Sequence, residues 1–169
     1  MGKKTTILSI IILVITVILI AAAMLYVVLE QEKIKNKLYD PTDINNVVIT
    51  LQRSRCFGIC PVYNLTIYGN GTVLYEGIAN VNITGIQISN ISENQIRQLL
   101  SEFRNIDYFS LNETEIASHV VYDAPVFTTS LTINEKTKTI RHYETVEPAA
   151  LTVLENTIDA VVNSSQWIQ

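Results

Sequence analysis

Residues 7–29 read ILSIIILVITVILIAAAMLYVVL, an apolar run broken only by Ser9, Thr16 and Tyr26. About 20 such residues in a helix cross the hydrocarbon core of a bilayer, which is about 30 Å thick. A surface helix of a soluble protein is apolar along one stripe rather than on every side. The run therefore predicts one membrane-spanning helix over residues 7–29, preceded by a tail at residues 1–6.

The same run leaves a second interpretation open, a cleaved signal peptide. Ala21, Ala22 and Ala23 are small residues of the kind that precede a signal-peptidase cleavage site. The apolar run continues to Leu29, however, and so exceeds the apolar region of a signal peptide, which is about 7–15 residues long. This length favours a retained signal anchor, and both interpretations deliver the rest of the chain to the same side of the membrane.

Six asparagines beyond the helix stand in the glycosylation acceptor pattern N-x-[ST]. They are Asn64, Asn70, Asn82, Asn90, Asn112 and Asn163. N-glycans are added on the non-cytoplasmic side of a membrane, so the pattern predicts a glycoprotein of the cell membrane with a cytoplasmic N-terminus and an extracytoplasmic C-terminal domain. Lysines on both flanks of the apolar run leave the positive-inside rule undecided. The alternative is a surface rich in Asn and Thr that matches the pattern without carrying sugar.

Cys56 and Cys60 are the only cysteines of the chain. In an oxidising compartment a close pair forms an intrachain disulfide by default. Gly58 lies between them and lets the chain turn, so that the two Cα atoms can approach to about 5.5 Å. We expect a disulfide that fixes a turn and adds modest stability, because so short a loop removes little chain entropy.

Metal binding and thiol chemistry are the alternatives for this cysteine pair. Cu(I) prefers thiolate ligands, and C-x-x-x-C-P with a distant histidine is similar to the copper site of Sco-type chaperones; His119 and His142 are the two histidines. Those chaperones place a helix after the second cysteine, whereas residues 62–68 alternate like a strand. A redox site would use Arg53 and Arg55 as cations but has no helix N-terminus beside it. The favoured interpretation involves no metal or other cofactor.

Residues 53–63 read RSRCFGICPVY. They resemble the pattern R-x-x-C-F-G-x-C-P-x-Y of a family of small domains called domain of unknown function 6438, and the likeness extends over most of residues 47–167. The resemblance implies a compact α+β domain in which the cysteine pair is a hallmark. It implies no catalytic residue, since no activity is established for that family.

The apolar periodicity predicts an antiparallel α+β domain over residues 46–169, behind a juxtamembrane linker at residues 30–45. Alternating residues indicate four successive strands at 47–52, 62–68, 72–76 and 79–84. Asn70-Gly71 predicts a two-residue hairpin turn, because both residue types tolerate positive φ.

The second half of the domain carries two helical patterns on either side of a hairpin. Ser92 and Gln95 have the spacing of a capping box that opens a helix. The buried stripe of that helix is predicted at Ile96, Leu99, Leu100 and Phe103. A hairpin follows at 127–143, and Pro148 suits the first turn of a closing helix. The stripe of this last helix is predicted at Leu151, Leu154, Ile158 and Val161, with Trp167 packing at its end. The order is β-meander, helix, β-hairpin, helix, which predicts an antiparallel sheet packed by two helices.

Charge and motifs restrict the function. Of the 12 basic residues, Lys3 and Lys4 precede the apolar run, so the chain beyond residue 29 has 10 basic and 16 acidic residues. Its net charge of −6 disfavours nucleic-acid binding. No nucleophile motif is present; a hydrolase would need His119 or His142 to meet an acid and a nucleophile in a pocket. The sequence favours a non-enzymatic binding or interaction module of the cell envelope, anchored in the membrane through residues 7–29. It does not name the partner, for which an envelope protein is the candidate.

Overall fold

The computed structural model describes residues 2–113, 124–143 and 149–168. The chain divides into two compact units, Met1–Lys37 and Leu38–Gln169. The first consists of one helix, α1, whose bounds are Gly2–Leu38. Its large apolar side chains between Ile7 and Leu29 are 49–67% exposed. By length and composition α1 is able to cross a membrane, although an N-terminal signal sequence would satisfy the same criteria.

Six antiparallel strands form one sheet in the second unit. They are β1 (Val48–Arg53), β2 (Val62–Tyr68), β3 (Thr72–Ala79), β4 (Gly85–Asn90), β5 (Val126–Ile133) and β6 (Lys136–Tyr143). Their order across the sheet is β4-β3-β2-β1-β5-β6. The first four strands are therefore a meander, and the β5–β6 hairpin joins the sheet beside β1.

Helices cover one face of this sheet. They are α2 (Glu93–Asn105), α3 (Ala149–Val162) and the single turn α4 (Ser165–Ile168). The predicted capping box of Ser92 and Gln95 opens α2, and its predicted stripe is buried. Leu151, Leu154 and Ile158 are buried on α3 as expected, whereas Val161 is only partly buried. The α+β class predicted from the sequence is confirmed.

Trp167 closes the core at the end of the second unit. It is 5% exposed, and its ring stacks on that of Tyr75 with the ring centroids 4.7 Å apart. The opposite face of the sheet is not covered by α2, α3 or α4. Hydroxyl groups lie at its centre, where Thr50 stands between Thr66 and Ser130 in one cross-strand row, and the exposed side chains of Ile86 and Ile88 lie on its β4 edge. Among the described residues, the buried polar side chains of Thr129, His142 and Glu155 lie on the helix-covered side.

Two local predictions are wrong. Residues 79–84 are not a strand: β3 ends at Ala79, Asn80 has a φ of +55° that breaks the extended backbone, and the pairing partner of β3 is Gly85–Asn90. The β2–β3 hairpin exists, but its turn bond runs from Gly71 N to Tyr68 O, and only Gly71, at φ +92°, has positive φ. The turn is thus one residue earlier than predicted, with Gly71 as the left-handed residue that follows it.

Candidate functional site

The most distinctive feature of the second unit is the connection between β1 and β2, residues 54–61, which we call the Cys loop. Arg53, the last residue of β1, and Tyr63, the second residue of β2, are register partners on the two strands that flank this loop. The sulfur atoms of Cys56 and Cys60 lie at disulfide-bonding distance, and their Cα atoms are 5.8 Å apart. The Cys60 carbonyl also accepts a hydrogen bond of 3.0 Å from the Asn80 side chain, so the loop is held at its base.

The tip of the Cys loop presents two large apolar side chains to solvent. Phe57 is 87% exposed and Ile59 is 89% exposed. Burying one such side chain stabilises a protein by about 1.5–3 kcal/mol. Phe57 and Ile59 stand two residues apart on one turn and are more exposed than the other described large apolar side chains of the second unit, such as Ile88 at 69%. Contiguous exposed apolar surface is a feature of interaction sites.

A cavity of about 270 Å³ lies at the root of the same loop. Prolines, aromatic rings and one aliphatic side chain dominate its wall, and Arg53 is the one charged side chain among the described residues that line it. The lining residues are Arg53, Ser54, Cys60, Pro61, Tyr63, Pro125, Phe127, Asn156 and Ile168. The cavity thus joins the Cys loop to β5 and to the two C-terminal helices.

Arg53 and Tyr63 both bind the carboxylate of Asp159 on α3. Tyr63 donates to Asp159 Oδ1 at 2.7 Å, and the guanidinium of Arg53 reaches Oδ2 through Nε at 2.9 Å and Nη2 at 2.6 Å. Ser164 donates to the same Oδ1 at 2.7 Å. The ring of Phe127 lies under the guanidinium, 4.1 Å from Cζ to the ring centroid. The two ends of the Cys loop are thereby fixed to the last long helix.

Burial and charge act together on the pKa values in this network. Burial raises the pKa of Tyr63 far above its ordinary value of 10.0, and the negative charge of Asp159 raises it further. Burial, the largest single effect, lowers the pKa of Arg53, but the charge and hydrogen bond of Asp159 together with the smaller contributions of Tyr63 and Glu155 leave the pKa above its ordinary value. Tyr63 is therefore a neutral donor and Arg53 a permanent cation.

A second polar cluster lies deeper under the sheet. The His142 Nε2 is 3.0 Å from Glu155 Oε1, and its Nδ1 is 3.0 Å from the carbonyl oxygen of Tyr143. Thr129 donates to the same carboxylate oxygen at 2.6 Å. Because a carbonyl only accepts, Nδ1 donates to it, and Nε2 faces the carboxyl group of Glu155. The His142 and Glu155 side chains are both 0% exposed, so this acid, hydroxyl and imidazole are sealed from solvent.

The histidines predicted as alternative metal ligands do not join the cysteines in the part of the chain that the structure describes. His142 lies in the buried pair with Glu155, and His119 falls outside the described residues. Within the described ranges no three His, Cys, Asp or Glu side chains are grouped so that they could hold a metal ion.

The six glycosylation acceptors are spread over the surface of the second unit. Asn64 is half-buried on the open face of the sheet, where it donates to Glu76 at 2.9 Å. The others are exposed, and they are Asn70, Asn82, Asn90, Asn112 and Asn163. None of the six lines the cavity.

Four residues of the site were not predicted as site residues from the sequence: Asp159, Asn156, Phe127 and Glu155. A signal for Glu155 existed, because it stands four residues after Leu151 on the apolar stripe of the closing helix. A carboxylate at such a position must find a buried partner. Asp159 and Asn156 carried no comparable signal, since their partner Arg53 is more than 100 residues away in the chain.

Comparison with known proteins gives a family but no activity. No curated protein matches the chain. Residues 47–162, which include all six strands, the Cys loop, Arg53, Tyr63 and Asp159, match the family described as Domain of unknown function (DUF6438). This match covers more than half of the 169 residues, and the chain therefore belongs to the DUF6438 family.

Proposed function

We propose that this protein is a membrane-anchored, non-enzymatic binding module that holds a partner protein at the Cys loop. The observation that carries the proposal is the exposure of Phe57 and Ile59, at 87% and 89%, on a turn whose two cysteines lie at bonding distance. A closed turn loses little conformational freedom on binding, so its apolar contacts translate efficiently into affinity.

The buried polar groups support a binding role over a catalytic one. A catalytic acid or base has to reach its substrate within hydrogen-bond distance. His142 and Glu155 are fully enclosed, and Arg53 is already paired with Asp159. These groups fix β5, β6 and the Cys loop to α3, which is a structural task.

The proposal also includes the topology: α1 is a retained signal anchor, and the domain is extracytoplasmic and glycosylated. Five of the six acceptor asparagines are exposed, which supports modification. A cysteine pair at bonding distance is typical of oxidising compartments. The glycan acceptors lie outside the cavity, so sugar at these positions is compatible with binding there.

The test compares the full chain with two double variants in intact cells. One variant carries Phe57→Ser and Ile59→Ser; the matched control carries Ile86→Ser and Ile88→Ser on β4, where the isoleucines are 64% and 69% exposed. A membrane-impermeant crosslinker is applied, and the adducts of each form are compared after purification. We expect the adducts to be kept in the control and lost in the Cys-loop variant. Their retention in the Cys-loop variant, or equal loss in both variants, would refute the proposal.

A further inference from the structure

The cavity under the Cys loop has the size of a subsite. At about 270 Å³ it lies below the roughly 300–1,000 Å³ of pockets that enclose drug-sized ligands. Pro61, Pro125, Phe127 and Ile168 give it an apolar wall. A space of this size and lining fits one bulky apolar side chain and the backbone beside it.

The charged group in the wall of the cavity is the guanidinium of Arg53, a hydrogen-bond donor whose positive charge Asp159 already balances. Arg53 uses Nε and Nη2 on Asp159 and Asn156, and within the described residues its Nη1 has no hydrogen-bond partner. Nη1 therefore offers two N–H donors at a cavity that Arg53 itself lines. Because Asp159 already balances the charge of Arg53, the acceptor that suits this donor is uncharged, as a peptide carbonyl is.

We infer that the cavity binds an extended segment of the partner protein, with one apolar side chain between Pro61, Phe127 and Ile168 and an adjacent backbone carbonyl accepting from Arg53 Nη1. This inference rests on the proposed function and names the group that the Cys loop recognises. Phe57 and Ile59 at the tip then contact the residues of the partner that flank the inserted side chain.

A lipid surface is the other occupant that exposed Phe and Ile side chains would suit. The chain enters the domain at Leu38–Asp40, where Asn134 Nδ2 donates to the carbonyls of Leu38 and Asp40 at 3.2 and 3.1 Å. Asn134 follows β5 at the end of the sheet where Val48 pairs with Thr132, whereas the Cys loop follows Arg53 at the other end of β1. Six residues of strand, roughly 20 Å at about 3.3 Å per residue, separate the two. The Cys loop therefore lies at the end of the sheet opposite the residues by which the chain enters the domain. The uncharged acceptor that suits Arg53 Nη1 favours a peptide over a charged lipid headgroup.

The experiment uses the full chain in lipid nanodiscs with ¹³C-labelled isoleucine methyl groups. Ile168 reports on the cavity, Ile59 on the loop tip, and Ile86 and Ile88 serve as controls on β4. The probes are three capped tripeptides, acetyl-Gly-Xaa-Gly-amide, with Leu, Ala or Asp as Xaa. We expect the Leu peptide to shift Ile168 saturably, with an affinity about tenfold or more above that of the Ala and Asp peptides, and to leave Ile86 and Ile88 in place. Equal affinity for the three peptides, or no shift of Ile168, would overturn the inference.

Two variants and a lipid probe complete the test. Ile168→Phe fills the cavity without removing a hydrogen bond, and because it also removes the Ile168 signal, binding to this variant is followed at the Ile59 methyl group, which the Leu peptide should shift in the unaltered chain. Arg53→Lys keeps the charge but removes Nη1 together with the Nε and Nη2 bonds to Asp159 and Asn156. Both variants should abolish the shifts caused by the Leu peptide, while Trp167 fluorescence verifies the fold. Binding that survives Ile168→Phe in a folded chain would overturn the inference. A gadolinium-labelled lipid that broadens the Ile59 methyl signal would show bilayer docking and would also overturn it. If Phe57→Ser with Ile59→Ser abolishes the cellular adducts but Ile168→Phe does not, the inference fails and the proposed function stands.

Discussion

The guanidinium of Arg53 and the carboxylate of Asp159 are joined at 2.6 Å across 106 residues of sequence. Their side chains are only 13% and 16% exposed. The pair connects the strand that enters the Cys loop to the helix that closes the domain, and Tyr63 binds the same carboxylate from the strand that leaves the loop. The Cys loop is therefore held from outside as well as by its own cysteines.

Removing Asp159 should destabilise the domain strongly. Asp159→Ala leaves Arg53 buried without its counter-ion, and the loss of one partner of a buried pair costs about 3–5 kcal/mol. The matched control is Glu93→Ala, which breaks the exposed Arg97–Glu93 pair of α2, worth about 0–1 kcal/mol. Urea unfolding of the full chain in detergent, followed by the fluorescence of Trp167, measures both. Equal effects of the two substitutions would contradict the importance of the Arg53–Asp159 pair.

Stability should fall at alkaline pH. Burial raises the pKa of Tyr63 well above 10.0, so the unfolded chain releases this phenolic proton at a lower pH than the folded chain. Above about pH 10 the folded state therefore binds more protons than the unfolded state. The contribution of each such tyrosine to the free energy of unfolding is fully present below about pH 10 and falls by about 1.4 kcal/mol per pH unit above it. Tyr63→Phe removes one such phenol, so the free energy of unfolding of the variant should fall less steeply with pH, by about 1.4 kcal/mol per pH unit. Unfolding midpoints between pH 8 and pH 12 test it; an unchanged slope would be inconsistent with the buried phenol.

The buried hydroxyl of Thr129 should contribute more to the free energy of unfolding than the threonine hydroxyls on the open face of the sheet. Thr129→Val keeps the shape but deprives Glu155 of a 2.6 Å hydrogen bond in a fully buried site, at a cost of about 1–3 kcal/mol. Thr132→Val lies on the same strand, where the Thr132 hydroxyl is bonded to that of Thr137 near solvent, and should stay within about 0.5 kcal/mol of wild type. Denaturant unfolding of both variants decides between the two expectations, and a larger loss in Thr132→Val would reverse the assignment.

The topology predicts protease access and sugar on the same side. Protease added to intact cells should cut residues 38–169, and a glycosidase should reduce the apparent mass of the full chain. If an acceptor asparagine carries a glycan, its substitution by Gln should lower the apparent mass of the chain by one glycan. The exposed Asn82 is the first of the six to substitute. A domain that is protected from protease in intact cells and carries no sugar would show the opposite orientation.

The cysteine pair should be oxidised in the purified membrane protein. No free thiol is expected without reductant, because the sulfur atoms of Cys56 and Cys60 already lie at bonding distance. Cu(I) added to this oxidised protein should not bind stoichiometrically. Two titratable thiols, or Cu(I) uptake that Cys56→Ser abolishes, would instead support the metal or redox alternative.

The local elements of the domain were predictable because their signals are local. The capping box of Ser92 and Gln95 and the stripe from Ile96 to Phe103 depend on residues within a few turns of one another. The strand predicted at residues 79–84 is wrong because apolar and polar residues alternate both there and in residues 85–90. Only the pairing with β3 shows that the second segment is the strand. Alternation shows that a segment can be extended, but a strand also needs a partner.

The site itself was not predictable in the same way. The placement of β5 beside β1 brings Phe127 opposite Arg53, and the path of α3 brings Asp159 to both ends of the Cys loop. These contacts join segments 74 to 106 residues apart, and no spacing pattern encodes them. Only the carboxylate on the apolar stripe, Glu155, signalled that α3 faces buried polar groups.

The bonds of Asn134 to Leu38 and Asp40 give the domain a defined response to mechanical load. A partner pulling on the Cys loop while the chain is held before Leu38 would stretch β1 along its length, between β2 and β5. Both points of attachment then lie at the two ends of β1, so the covalent backbone of an extended strand carries the load, and the ladder bonds to β2 and β5, which run perpendicular to the strand, hold it in register. The central strand is thereby the element of this fold that is best arranged to transmit tension between two attachment points.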